Sequence, residues 1–125
     1  MRTGIVIFAH GSSVESANES VRRVGHETAR AGHFEIVETA FLELAQPDLG
    51  TAVATLLARG VSRILIVPYF LTLGVHLQHD LPRILGELSR SHPGVEFRVT
   101  PPLDGHPALV QVLMERCREG VFGWL

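Results

Sequence analysis

Four short aliphatic segments alternate along the chain with longer segments in which apolar residues recur every three or four positions. The aliphatic segments cover 4–9, 34–43, 64–67 and 95–100. Short aliphatic segments of this kind predict β-strands, whereas apolar residues that recur every three or four positions predict amphipathic helices. The helices are expected over 14–31, 46–60, 80–90 and 106–120. The order βαβαβαβα predicts an α/β fold with a parallel sheet and right-handed helical crossovers.

The continuity of each aliphatic segment predicts the order of the strands. The first and third segments are uninterrupted, which indicates strands that are covered on both faces and lie inside the sheet. Polar residues interrupt the second segment and alternate through the fourth, which is typical of edge strands. We therefore predict a four-stranded parallel sheet of order 2-1-3-4. In this order the connections after strands one and three leave in opposite directions, which places a crevice between their loops.

Two of the seven histidines follow the two inner strands. His10 comes directly after the first strand, and His76 lies in the loop after the third. Because neighbouring strands are about 4.8 Å apart, imidazoles from these loops could share one metal ion at roughly 2.1 Å from each nitrogen. We predict a joint functional role for these two histidines. His79 either contributes or lies in solvent where the third helix begins.

Further polar residues border the predicted crevice. Glu43 ends the second strand, beside the first, and is either a carboxylate of the site or the charged end of an edge strand. Ser12 and Ser13 precede the first helix, where hydroxyls and free amides can bind substrate carboxylates; helix capping is the alternative. Asp80 and Pro82 are expected to begin the third helix, as its N-cap residue and in its first turn.

Length and composition limit the classes of function. The 125 residues fit one domain, 1–125, and a hydrophobic content of 46% supplies a core without disulfides or a structural metal. The net charge of −2 and the scattered arginines argue against nucleic-acid binding. The single cysteine, Cys117, is expected in the core. No apolar segment is long enough for a signal or a membrane span, so a cytoplasmic location is expected.

Three other chemistries are disfavoured by missing motifs. Ala9-His10-Gly11 lacks the arginine that precedes His-Gly in histidine phosphatases and grips the phosphate. The chain contains neither the Gly-x-Ser-x-Gly elbow of serine hydrolases nor the Gly-x-x-x-x-Gly-Lys loop that binds nucleotide phosphates. Phosphoryl transfer, serine hydrolysis and nucleotide binding are therefore not expected.

Three motifs together carry a family resemblance. They are His10-Gly11-Ser12, then Phe41-Leu42-Glu43 followed by Gln46-Pro47-Asp48-Leu49, and finally Gly74-Val75-His76 followed by Asp80-Leu81-Pro82. In order and spacing, over nearly the whole chain, they resemble those of the class II tetrapyrrole chelatases, in particular the short sirohydrochlorin chelatases that insert cobalt or iron. The resemblance implies a flavodoxin-like three-layer sandwich, one chelatase-like half that pairs with itself as a homodimer.

The resemblance also implies a function. It implies a lyase that inserts divalent cobalt or iron into sirohydrochlorin, in cobalamin or siroheme biosynthesis, without an organic cofactor. His10 and His76 would handle the metal, with Glu43 as the accompanying acid. Nickel is the less favoured metal because the histidine run of some nickel-inserting relatives is absent. The alternative is a non-catalytic metal or tetrapyrrole carrier. The apolar tail, 121–125, is a candidate for the dimer contact.

Overall fold

Four parallel strands form one sheet in the computed structural model, which describes residues 2–124. The strands are β1 (Thr3–Ala9), β2 (Val37–Phe41), β3 (Arg63–Pro68) and β4 (Glu96–Val99). The helices are α1 (Glu15–Gly32), α2 (Leu49–Ala58), α3 (Val75–Ser91) and α4 (Ala108–Phe122). The strand order β2-β1-β3-β4 confirms the predicted topology. Within the described residues, no helix has the length and apolarity needed to cross a bilayer.

The hydrophobic core lies on the face of the sheet that α2 and α3 cover. Val6 pairs in register with Ile66, and both are completely buried on this face. Ile64 lies beside them, and Leu56 of α2 and Leu81 of α3 close the core from above. Because burial of each such side chain contributes roughly 1.5–3 kcal/mol, this layer supplies most of the hydrophobic stabilisation.

The opposite face of the sheet is covered over β1 but not over β3. α1 approaches this face through Gly25, where an added Cβ would touch Ile7, and Ile7 is accordingly buried. Leu65 and Val67 point to the same side because they pair in register with Ile5 and Ile7, yet both are only half-buried. The prediction that β3 is covered on both faces is therefore not met within one chain.

Helix α4 packs on neither face of the sheet. None of its residues is buried, and Leu109 alone is half-buried. Cys117 is a free, exposed cysteine, so the prediction that it lies in the core is wrong. The apolar spacing of this segment correctly predicted a helix, but the helix leaves the sheet instead of adding to this chain's core.

Helix α3 begins at Val75, one and a half turns before the predicted start. Gly74 is its N-cap residue, and the Gln78 amide closes the first turn by donating to the Gly74 carbonyl at 2.9 Å. The prediction that Asp80 caps this helix is therefore wrong. Pro82 lies inside the helix, where it cannot donate the backbone hydrogen bond that would reach the Gln78 carbonyl.

Asp48 caps the N-terminus of α2. Its Oδ1 accepts a hydrogen bond from the Thr51 amide at 2.8 Å, and this bond holds the pKa of Asp48 below its usual range. We expect Asp48→Ala to lower the free energy of unfolding at neutral pH by about 1 kcal/mol, because the amide loses its partner. Urea denaturation measures this difference, and Asp48→Asn, which retains an acceptor, should lose less.

The same cap should make part of the stability pH-dependent. Because the pKa is depressed in the folded state, the contribution of ionised Asp48 is present above the unfolded value of about 3.9 and is lost as pH falls through the folded value. The stability difference between wild type and Asp48→Ala should therefore shrink in acid. An equal difference at neutral and strongly acidic pH would contradict this assignment.

Candidate functional site

His10 and Glu43 are brought together by backbone pairing that continues past the ends of β1 and β2. The Leu42 amide donates to the Ala9 carbonyl at 2.9 Å, and the Glu43 amide donates to the His10 carbonyl at 3.0 Å. As a result, Glu43 Oε1 lies 3.0 Å from His10 Nε2. These side chains are 56% and 59% exposed, so their pairing contributes little to stability and mainly orients the imidazole.

Gly11 permits the close approach of these two loops. Its φ of +92° lies in the left-handed region, and a Cβ at this position would overlap the carbonyl oxygen of Glu43. A side chain would therefore meet both backbone strain and a steric conflict with a main-chain atom. The glycine after His10 is thus required by the geometry of the site.

Asn18 fixes the loop between His10 and α1. Its side chain is 1% exposed and bonds both backbone groups of Ser12: Nδ2 donates to the carbonyl at 2.8 Å, and Oδ1 accepts from the amide at 2.9 Å. The same Nδ2 donates to Glu15 Oε2 at 3.1 Å, while Arg22 donates to Glu15 Oε1 at 2.6 Å and lowers the pKa of that carboxyl. Asn18 was not among the predicted site residues, because a polar residue in a helical pattern carries no signal of burial.

The two serines of this loop have different surroundings. Ser12 Oγ accepts a hydrogen bond from the Val14 amide at 3.0 Å, so it supports the turn before α1, although its hydroxyl can still donate to a ligand. Ser13 is exposed. The structure therefore gives Ser12 a local structural role and leaves Ser13 open to solvent.

His76 lies in the first turn of α3, not in the predicted loop, and it shares an open depression with His10. The depression has a volume of about 270 Å³ and mostly apolar walls. Leu42, Phe70 and Leu77 are among its lining residues. The structure thus places the two predicted metal-binding histidines at one depression, as the strand order implied.

Asp80 is a further carboxylate of the same depression. It lies four residues after His76 in α3, so the two side chains share one face of the helix. Asp80 is half-buried, and its closest cationic partner is Arg83, at 3.8 Å. Asp80 was predicted to be the helix cap. A helix that begins after Gly74 would have predicted the four-residue spacing of His76 and Asp80 on one helical face. His79 is exposed and does not line the depression.

Phe70 supports the ring of His10 from the side. The two ring centroids are 6.4 Å apart with planes at 76°, an edge-to-face contact. Phe8, which is buried in the core, contacts Phe70 in the same manner at 6.0 Å. Contacts of this kind favour one orientation of each ring, so His10 is positioned by the core on one side and by Glu43 on the other.

The site is open in one chain. Within residues 2–124, no three side chains of His, Cys, Asp or Glu come together closely enough to hold a metal ion as a group. Instead, the chain offers His10 with Glu43 from two strand ends, and His76 with Asp80 from α3.

The fold and this geometry define an open parallel α/β protein with imidazole and carboxylate groups at its topological switch point. The family model CbiX matches residues 4–120 of the chain. The chain therefore belongs to the CbiX family.

Named relatives of the chain fall into two length classes. The sirohydrochlorin cobaltochelatase of Methanopyrus kandleri is 29% identical over 137 residues, which cover 94% of this chain and 96% of the relative. That of Saccharolobus islandicus is 30% identical, with coverage of 93% and 94%. The chloroplastic sirohydrochlorin ferrochelatase of Arabidopsis thaliana is 29% identical, but the chain spans only 50% of its length.

Solved structures show the same division. The CbiX protein of Marinobacter aquaeolei VT8 superimposes with a TM-score of 0.84 at 31% identity, covering 95% of this chain and 97% of that one. The sirohydrochlorin chelatase SirB of Bacillus subtilis subspecies spizizenii, in complex with cobalt, gives a TM-score of 0.84 at 25% identity. This chain corresponds to 51% of SirB.

The contact between Gly11 and Glu43 can be tested with a matched pair of glycines. Gly11 and Gly94 have nearly the same φ, +92° and +91°, but the space around Gly94 is empty. We expect Gly94→Ala to destabilise the fold by about 1–2 kcal/mol from backbone strain alone. Gly11→Ala should cost roughly 2–4 kcal/mol because the Glu43 backbone must also move.

Thermal and urea unfolding compare the two variants, and calorimetric titration with Co²⁺ reports whether the loops separate. Gly11→Ala should weaken Co²⁺ binding, whereas Gly94→Ala should leave it unchanged. Equal losses of stability in the two variants, with Co²⁺ binding intact in both, would show that the contact is unimportant.

Proposed function

We propose that the protein is a chelatase that inserts divalent cobalt or iron into sirohydrochlorin, a reaction of cobalamin or siroheme biosynthesis. The observation that carries this proposal is that His10 and His76 border one depression, with Glu43 placed against His10. Relatives named sirohydrochlorin cobaltochelatase and ferrochelatase, at 29–30% identity, support it.

Metal insertion needs ligands and bases in the same place. When a divalent ion enters a tetrapyrrole, two pyrrole nitrogens each lose a proton, and imidazole can accept protons near neutral pH as well as bind metals. Glu43 Oε1 lies 3.0 Å from Nε2 of His10, so the carboxylate can either hold a proton on that nitrogen or share an ion that the nitrogen binds. Glu43 then completes the coordination of the ion or takes up a released proton.

The second pair of groups acts from α3. His76 binds the incoming metal from the other element of the depression, and Asp80, one helical turn further on, accepts the second proton. Imidazole and carboxylate ligands follow the general affinity order of first-row ions and do not by themselves select cobalt or iron. Nickel therefore remains the alternative metal, and the supply of each ion in the cell would decide which metal is inserted.

The surroundings of the site suit a flat macrocycle with carboxylate substituents. Leu44, Leu71 and Val75 are apolar residues near the site segments and are 65–71% exposed, which is typical of surfaces that contact a ligand. The free amides that begin α3, together with Ser12 and Ser13 before α1, offer positions for substrate carboxylates. No organic cofactor is needed for this reaction.

We also propose that the protein acts as a cytoplasmic homodimer. The chain is as long as some relatives and half as long as others, so two copies would match the longer ones. A second copy would also cover the open side of the depression, which is exposed to solvent in one chain.

The histidine roles are tested by alanine variants. His10→Ala and His76→Ala should each reduce insertion of Co²⁺ or Fe²⁺ into sirohydrochlorin by about 100-fold or more, because a ligand and a base are lost together. His79→Ala, on the same helix but outside the depression, is the matched control and should retain activity. Absorbance spectra follow the conversion, with Ni²⁺ offered in parallel.

Turnover separates the chelatase from the carrier. Repeated conversion of sirohydrochlorin at catalytic protein concentration supports the enzyme, whereas stoichiometric binding of metal or tetrapyrrole without conversion would establish the carrier. Full insertion by both His10→Ala and His76→Ala would overturn the assigned roles. Glu43→Gln should lower the rate while Co²⁺ binding to His10 persists.

A further inference from the structure

Two apolar surfaces of the protein are not covered by any helix or strand among residues 2–124. The first, called here the sheet strip, consists of Leu65 and Val67 on β3 with Thr3, Arg63 and Arg98 around them. The second, called here the α4 stripe, lies along the C-terminal helix and its last turn. Its members are Val110, Leu113, Met114, Cys117, Val121 and Trp124.

The sheet strip has the character of an interior surface. Leu65 and Val67 alternate with Ile64 and Ile66, which are at most 1% exposed on the opposite face. A strand that met water along one whole side would carry polar residues there, whereas β3 has Arg63 only at its start and then Leu65 and Val67 on this side. A cavity of about 180 Å³ borders this strip, with Arg63 in its lining. The strip therefore lacks a covering layer.

The α4 stripe is the complementary surface. Leu113 and Met114 are adjacent and the other steps are three or four residues, which places all members within a band about 100° wide on a helix. Val110, Leu113 and Trp124 are 61%, 64% and 88% exposed. An amphipathic helix is stabilised by burying this band, yet α4 buries none of its residues against its own chain.

The length of α4 matches the length of the uncovered sheet strip. On the strip's side of the sheet α1 approaches β1 at Ile7, and no other helix buries β3 there within residues 2–124. α4 of 15 residues is about 22 Å long, and β3 of six residues is about 20 Å long. One helix is therefore long enough to cover the strip.

We infer that α4 of one protomer packs its stripe on the sheet strip of a second copy, and that the two copies exchange these helices reciprocally. The inference rests on the homodimer proposed above and names its interface. The stripe exposes on the order of 500 Å² of apolar surface per chain, a patch as large as those that mark binding surfaces on monomers. Covering two stripes and two strips would reach the roughly 1,200–2,000 Å² that stable interfaces bury.

The single cysteine allows a direct test, because Cys117 lies on the α4 stripe. An untagged wild-type chain is co-expressed with a tagged chain that carries Cys117→Ser and Arg98→Cys, so that each chain has one thiol on a different surface. Mild oxidation should link tagged to untagged chains, since a disulfide forms only when the two Cα atoms lie about 4.4–6.8 Å apart. Arg63→Cys replaces Arg98→Cys in a parallel experiment.

Three other results of the cross-linking experiments would contradict the inference. A disulfide between two copies of Cys117 as the main product would mean that the α4 helices pair with each other. An intrachain link in a chain that retains Cys117 and carries Arg98→Cys would mean that α4 folds onto its own sheet. A dimer without links at position 98 or position 63 would place the interface elsewhere.

Sedimentation equilibrium gives a second measurement that requires no substrate. Leu113→Glu on the stripe should raise the dimer dissociation constant by about 100-fold or more, whereas Val112→Glu, on the opposite side of the helix, should change it by less than about threefold. Equal effects would overturn the interface. If the wild-type protein is monomeric and still inserts metal, both the helix exchange and the homodimer are wrong, whereas the chelatase proposal is unaffected.

Discussion

The in-register pairing of β1 with parallel strands on both edges is the constraint on which the site depends. Beyond the strand ends, Glu43 is bonded to the backbone of His10, and the Tyr69 amide donates to the Phe8 carbonyl at 2.7 Å. The chain then turns away from this line in both directions, toward β2 on one side and β4 on the other. No connection crosses the gap, so side chains from both loops reach one open space.

Because the side chains of the candidate site are exposed, backbone contacts rather than side-chain burial must hold their geometry. An exposed pair such as His10 and Glu43 supplies too little free energy to define its own position. The nearby structure does so instead: Gly11 lets the two loops touch, and buried Asn18 holds the next residues in place. Arg22 adds a contact from α1 to the Gln46 carbonyl, 3.2 Å away, in the loop after Glu43. The site thus combines a rigid frame with groups that water and ligands can reach.

The sequence predicted the parts of this arrangement that follow from long-range hydrophobic pattern. The continuity of β1 and β3 implied the strand order, and the strand order implied that His10 and His76 meet. Local signals were weaker: Pro82 suggested a late start for α3, but buried Leu77 and Leu81, four residues apart, favour an earlier one.

Two further features lay outside what a single sequence can predict. Burial of Asn18 depends on contacts with backbone groups of Ser12, which no spacing reveals. The apolar face of α4 was visible in the sequence, but hydrophobic spacing does not tell which surface a helix covers. Cys117 was therefore assigned to a core that this chain does not build around it.

Pro82 has a mechanical consequence for α3. The missing bond to the Gln78 carbonyl weakens the helix between its leading turns, which carry His76 and Asp80 and pack through Leu77 and Leu81, and the longer part that packs through Leu88. Bending at such a point strains fewer hydrogen bonds than bending an unbroken helix. Burial of Leu77 and Leu81 opposes such bending, so the side of the depression that carries His76 and Asp80 stays attached to the core although one backbone hydrogen bond is missing.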